Sequence, residues 1–386
     1  MSDFASRRIE TLRKKAWVLY EAGRLEAAAT EFDRAAALSD APDMLQLECG
    51  VMFFRAGELE RALERFERAL AHEPANVTAA VNAAKTLGRL DRPREALERC
   101  EAALEQHPDE PGLWLAAGLA ERALGRREEA LARFERAAEL RPREGAPWLH
   151  RAETLRELGR LEAALEAARH ACAVQPRYPE ALVERGRCLR ALGRLSDAWS
   201  MYASAIRIRG ADEAERAWLL ETGEIGCEIG QASKAIEIAE LLLGRDRDDA
   251  AAWRLKGRAL ACTGDEARGA ICTGTGHMVA GELERALAEL DRAVALRPEA
   301  PEAWCNRGVI LERLERYEEA LANYERGLEH NVRAPALWHN KGVLLLERLG
   351  RRDEAIACFR QEVKLDHRRF FDLQPEIRRL LDEPAG

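Results

Sequence analysis

The residues of this chain that could carry chemistry cluster in one short run, Gly269-Ala270-Ile271-Cys272-Thr273-Gly274-Thr275-Gly276-His277, with Cys262 upstream. A glycine-rich stretch can cradle a phosphate through its backbone N–H groups, but that loop needs a lysine after its last loop glycine and a strand leading into it. Here Thr275 stands at the lysine position and no strand is predicted ahead of Gly269. Cys262, Cys272 and His277 offer metal-ligand chemistry, yet their spacing fits no common zinc pattern and no fourth ligand is evident. As nucleophile and base, Cys272 and His277 lack a group to orient the base and a donor for an oxyanion. No catalytic residue, cofactor or metal is therefore assigned. Gly269, Gly274 and Gly276 each cost a helix about 1 kcal/mol relative to alanine, so the run from Asp265 to Ala280 reads as a loop. The competing reading is a degenerate helix.

The elements around that run repeat. Ala28, Ala62, Ala96, Ala130, Ala164 and Ala198 are spaced 34 residues apart, the signature of stacked helical hairpins. With Ala28 set at position 20 of a unit, position 27 reads Ala35, Ala69, Ala103, Ala137, Ala171 and Ala205. Position 15 reads Gly23, Gly57, Asp91, Gly125, Gly159 and Gly193, and position 24 is bulkier, with Phe32, Phe66, Cys100, Phe134, Ala168 and Tyr202. Position 4 carries Trp114 and Trp148, position 8 carries Gly50, Gly118 and Gly186, and Pro74, Pro108, Pro142 and Pro176 occupy position 32. Small residues at positions 8 and 20 let two helices approach, and the ring at position 24 fills the space beside them. Glycine at position 15 suits a helix end that turns back, and proline at position 32 ends the second helix.

These columns resemble the W…L-G…Y…A…F…A…P skeleton of the tetratricopeptide repeat family. The resemblance implies an all-α fold, a right-handed α-α superhelix of about ten 34-residue hairpins with a C-terminal capping helix. Repeats are placed at 9–42, 43–76, 77–110, 111–144, 145–178, 179–212, 216–249, 250–300, 301–334 and 335–369, with a cap at 370–386. The cap is read from Phe370, Phe371, Ile377, Leu380 and Leu381 around Pro375. The phase slips most between Ala235 and Ala286, which are 51 residues apart, or 34 plus 17. That half-repeat is the insertion near 265–281, inside an otherwise single solenoid.

Composition narrows the function classes. The chain is 33% charged and 6% aromatic, with a formal net charge of −8 that argues against a general nucleic-acid binder. Of its 60 basic residues only 7 are lysines; a coding bias towards arginine is the plain explanation. No apolar run approaches the roughly 18 residues of a membrane span, and no signal peptide is visible. A cytoplasmic monomer, not bound to membrane, is expected. Nine cysteines without a CxxC pair read as reduced thiols, Cys100 and Cys172 among them as small core residues. The repeats leave no room for a catalytic domain, so no enzyme is expected.

The family resemblance also implies where a partner would lie. In it the first helices line the concave surface, with positions 2, 5, 9 and 12 projecting into the groove. Here these are Arg13, Trp17, Tyr20, Met44, Leu47, Val51 and Phe54 in the first two repeats, an apolar zone. Lys85, Arg122, Arg156, Arg187, Arg190, Arg254 and Arg258 form a basic zone interrupted by Glu153, Glu180 and Glu224. The far end is mixed, with Cys305, Asn306, Val309, His339, Asn340 and Val343. Asn306 and Asn340 match the asparagine column of a chaperone-tail clamp, but its paired basic residues are missing. The reading is a protein-interaction scaffold that holds an extended or helical partner segment, apolar and then acidic. Two alternatives stand beside it: Trp17 and Phe54 pack structurally, and the arginines face solvent with local Glu partners. Another is phosphate or single-stranded nucleic-acid binding through the arginines, and a last is end-to-end self-assembly.

Overall fold

The structure, a computed structural model, describes residues 3–368 and 373–382, and every regular element among them is an α-helix. The fold is an all-α helical solenoid whose contacts gather into two compact units, 1–194 and 195–386. The first unit holds α1 (Asp3–Glu21), α2 (Leu25–Ala36), α3 (Asp43–Ala56), α4 (Leu59–His72), α5 (Val77–Arg89), α6 (Pro93–Gln106), α7 (Pro111–Ala123), α8 (Arg127–Leu140), α9 (Gly145–Glu157), α10 (Leu161–Val174) and α11 (Pro179–Ala191). Each odd-numbered helix from α1 to α9 packs on the even-numbered helix after it, and first helices also touch across repeats, α3 on α5, α5 on α7, α7 on α9 and α9 on α11.

The hairpin of α3 and α4 shows why the sequence folds this way. Gly57 ends α3 at φ +84°, and the Glu58 N–H reaches back to the Phe53 carbonyl at 3.0 Å. Without a Cβ the left-handed residue is unstrained and the last carbonyls stay bonded. Gly50 then admits the Phe66 ring so closely that an added Cβ would stand 2.5 Å from it. Ala62, Phe66 and Ala69 are buried as a result. The same left-handed turn after α5 is taken by Asp91, at φ +56°.

Two further features repeat. The position-4 tryptophans donate their indole N–H to the carbonyl six residues earlier, Trp114 to Pro108 at 2.7 Å and Trp148 to Pro142 at 3.3 Å. Each indole thereby ties down the turn that precedes its own repeat. Arginine recurs at position 23 as Arg65, Arg99 and Arg133 and reaches the position-25 carboxylate of the preceding repeat, Asp33, Glu67 and Glu101. This ladder links successive second helices, and the guanidinium fork suits it better than a lysine.

The second unit holds α12 (Leu195–Arg209), α13 (Arg216–Glu228), α14 (Ala232–Arg245), α15 (Ala250–Cys262), α16 (Glu266–Val279), α17 (Leu283–Leu296), α18 (Pro301–Arg313), α19 (Tyr317–His330), α20 (Pro335–Glu347), α21 (Arg352–Leu365) and α22 (Pro375–Asp382). The same tryptophan tie recurs in Trp253, Trp304 and Trp338, at 2.8, 2.7 and 2.9 Å. Helix α22 packs on α21, with Ile377 and the preceding Leu373 buried in the terminal core and Leu381 against it. Phe370 and Phe371, assigned to the cap from sequence, lie outside the described residues, and so does the side chain of Leu380.

The expected loop at 265–280 is corrected: residues 266–279 form a full helix, α16. Asp265 caps its start, accepting from the Arg268 N–H at 3.2 Å, and Gly281 ends it at φ +76°. The glycines that argue against a helix are what let it pack. A Cβ on Gly257 would lie 2.2 Å from Thr273 Oγ1 and 2.6 Å from the Gly269 carbonyl oxygen. One on Gly276 would lie 2.8 Å from the Ala250 oxygen. So α15 and α16 run antiparallel with their backbones nearly touching, while Gly274 on another side of α16 receives Leu290 of α17. Packing of this closeness outweighs a propensity penalty of about 1 kcal/mol per glycine. Since α13 packs on α15 and α16 packs on α18, both helices occupy first-helix places, and the half-repeat is a doubled first helix.

Candidate partner-binding face

Steps of three and four residues return to one side of a helix, so positions 2, 5, 9 and 12 share a face of each first helix. In α1, the Trp17 indole stands edge-on to Phe32 and to Tyr20, each with ring centroids 5.8 Å apart, and donates to Glu48 Oε2 of α3 at 3.2 Å. Glu48 also takes the Arg13 Nε–H at 2.8 Å. Trp17 and Arg13 thus join α1 to α3, with Arg55 over the indole at 5.7 Å. Tyr20, Val51 and Phe54 are half-buried, and Met44 is 53% exposed. Leu47 shares this face but is covered. At 6% exposed it belongs to the core of the first repeats, a correction to its assignment as a groove residue.

The basic zone of the first unit is largely neutralised by its own carboxylates. Arg122 pairs with Glu153, which also takes His150 Nδ1 at 3.0 Å. Burial opposes ionisation of Glu153, but His150 and Arg122 outweigh it and hold its pKa at about 2. Arg156 reaches Glu184 at 2.5 Å, and Arg187 stands 3.8 Å from that same carboxylate. Glu184 is 1% exposed, and burial pushes its carboxyl up despite Arg156. Arg190 has partners of its own. Lys85 differs: it is exposed and makes no ion pair among the described residues.

In the second unit Arg258 stands 3.7 Å from Glu224, while Arg254 makes no ion pair among the described residues. Together with Leu220 and Thr273 they line a cavity of about 360 Å³ where α16 abuts α15. At the far end Asn306 donates to Thr275 Oγ1 at 3.2 Å, tying α18 to α16. Asn340 bonds to Tyr324, whose hydroxyl donates to Glu312 at 2.6 Å, and His339 Nδ1 lies 2.9 Å from Glu362. The asparagines thus serve the packing of their own helices.

The motif-like run is dispersed by its helix. His277 pairs with Glu282 at 2.6 Å, Cys272 is half-buried, and the exposed Cys262 sits at the end of α15. No group of three His, Cys, Asp or Glu side chains that could hold a metal is present among the described residues. Burial pushes the Cys100 thiol up to about 12, as befits a core residue. No helix among the described residues is long and apolar enough to cross a membrane.

Sequence reasoning missed a further cavity, about 380 Å³ in the first unit, between α5 and α7. Its floor is Ala84, Ala116 and Ala120, its rim Phe54, Lys85 and Arg89. The signal was available in column 12, where the first two repeats carry Tyr20 and Phe54 and the third carries Gly88.

Family models described as tetratricopeptide repeat match residues 53–120, 115–174, 149–215, 273–330 and 311–367. Among solved structures, a thermophilic TPR protein of Thermus thermophilus is 24% identical over 47% of this chain and 98% of its own, with a TM-score of 0.41. A tetratricopeptide repeat protein from Parabacteroides merdae is 16% identical over 79% of this chain and 99% of its own, at 0.46. The human IFIT1 dimer with m7Gppp-AAAA is 19% identical over 82% of this chain and 80% of its own, at 0.50. At these identities the likeness is one of fold. No curated protein matches the chain.

Proposed function

We propose, since the chain belongs to the tetratricopeptide repeat family, that it is a non-enzymatic interaction scaffold holding an extended or helical segment of a protein partner against its first helices. The observation that carries this is the apolar surface of α1 and α3. Tyr20, Met44, Val51 and Phe54 keep apolar surface towards solvent on one helix face, where a soluble protein has reason to keep little. Exposed Lys85 follows in the next first helix, so a segment that is apolar and then acidic complements this stretch. Apolar anchors supply affinity, and the charge supplies register. The nucleic-acid alternative loses Arg122 and Arg156 in the first unit, which are held by Glu153 and Glu184.

A photo-crosslinking amino acid placed singly at Tyr20, Met44 and Val51, and at the second-helix sites Glu64 and Glu98, tests the face. Partner crosslinks are expected at the first three positions. Crosslinks confined to Glu64 and Glu98 would move the site to the other face and end this reading.

A further inference from the structure

The cavity between α5 and α7 is a place where the repeat's own pattern omits a ring. Column 12 carries Tyr20 on α1 and Phe54 on α3, and both rings pack against the core of the first repeats. On α5 the column holds Gly88, and a Cβ added there would meet no atom within 4 Å. The space a third ring would take is left open, floored by Ala84, Ala116 and Ala120, each at most 5% exposed. At about 380 Å³ it has the size of a small ligand pocket and room for a Leu, Met or Phe side chain.

Its rim is charged with one sign. Lys85 and Arg89 both line the cavity, and neither makes an ion pair among the described residues. The Arg89 guanidinium instead lies over the Phe54 ring, 4.7 Å from its centroid, which keeps it at the lip and leaves its N–H groups free for an anion. The contrast with α7 and α9 is plain, since Arg122 and Arg156 on those helices are already paired with Glu153 and Glu184. Apolar floor and uncompensated cations therefore occur together in one spot on the first unit.

We infer that this cavity is the anchor subsite of the proposed face, taking one Phe, Leu or Met side chain of a protein segment whose neighbouring Asp or Glu pairs with Lys85 and Arg89. The inference rests on the partner-binding reading above and adds the chemistry of the segment. The partner's side chain supplies the ring that column 12 lacks, and the two cations select its acidic flank. A purely apolar segment gains only the floor. A basic one is repelled at the rim.

The test uses the full chain and a phage-displayed library of random twelve-residue peptides, followed by fluorescence anisotropy with the synthesised winners. Selection is expected to converge on Phe, Leu or Met with Asp or Glu within two residues. Gly88→Phe places a ring of the chain's own beside the cavity, on a helix where the Cβ is unobstructed, so its circular dichroism is expected to match wild type while affinity falls at least tenfold. Lys85→Glu with Arg89→Glu is expected to turn the selected flank from acidic to basic while keeping the apolar residue. Winners that bind the Gly88→Phe chain as tightly as wild type would overturn the subsite. So would a library that yields no winner, or one whose flanks ignore the charge reversal. Crosslinks at Tyr20, Met44 and Val51 would still uphold the broader face in any of those cases, so the two readings fail separately.

Discussion

At the scale of single residues, the carboxylates of the first-helix face decide what the arginines are free to do. Glu153 is the clearest case, because it ties Arg122 of α7 to His150 of its own helix and its pKa stands at about 2. Its folded value lies below the ordinary unfolded value of about 4.3. It therefore adds stability that is fully present above about pH 5 and is lost as the pH falls towards 2. Glu153→Gln is expected to lower the unfolding free energy read from urea titration at pH 7, by up to about 3 kcal/mol if the whole shift counts. The gap should close as both chains are titrated down to pH 2. Equal gaps at pH 7 and pH 3, followed by circular dichroism, would mean that the ion pair contributes nothing specific. The sequence offered local Glu partners for these arginines but not the pairing itself, since Arg122 and Glu153 are 31 residues apart and their encounter depends on how α7 settles on α9.

At the scale of helices, the legible features are those that depend on local geometry. Gly57 at a hairpin turn, and Gly50 facing Phe66, could be placed from a 34-residue period because each needs only its own hairpin to be explained. The run 265–280 could not, because the meaning of its glycines depends on a second helix brought alongside. Propensity counts Gly269 and Gly276 as penalties, whereas the contact with α15 requires them. Two glycine-to-alanine substitutions separate these effects. Gly88→Ala, in a helix with open space at the Cβ, is expected to raise stability by about 0.5–1 kcal/mol. Gly257→Ala drives a methyl into Thr273 and the Gly269 carbonyl and is expected to lower it by about 1–3 kcal/mol. Thermal midpoints that move the same way for both would show that the α15/α16 contact is looser than described. Leu47 teaches the complementary lesson: a column predicts a face only where the neighbouring helix leaves it uncovered.

At the scale of the whole molecule, substantial contacts among the described residues join only helices that are adjacent or next but one in the chain. Stability in such an array is a sum of repeats and nearest-neighbour interfaces rather than one shared core. That is why the period alone disclosed the fold, and why it disclosed so little of the site: the period reports what every repeat shares, while the cavity at Gly88 and the doubled first helix at α16 are departures from it. The same one-dimensional logic sets how damage spreads. Gly257→Ala strains the α15/α16 interface, and among the described residues only α13, α14, α17 and α18 have substantial contact with those two helices. Hydrogen exchange followed by mass spectrometry should therefore show faster exchange in α13–α18 of the variant, with α1–α10 protected as in wild type. Uniformly faster exchange along the chain would mean that the array opens as one cooperative body, and that a strained contact at α16 is felt at α1 and α3, the helices proposed to meet a partner.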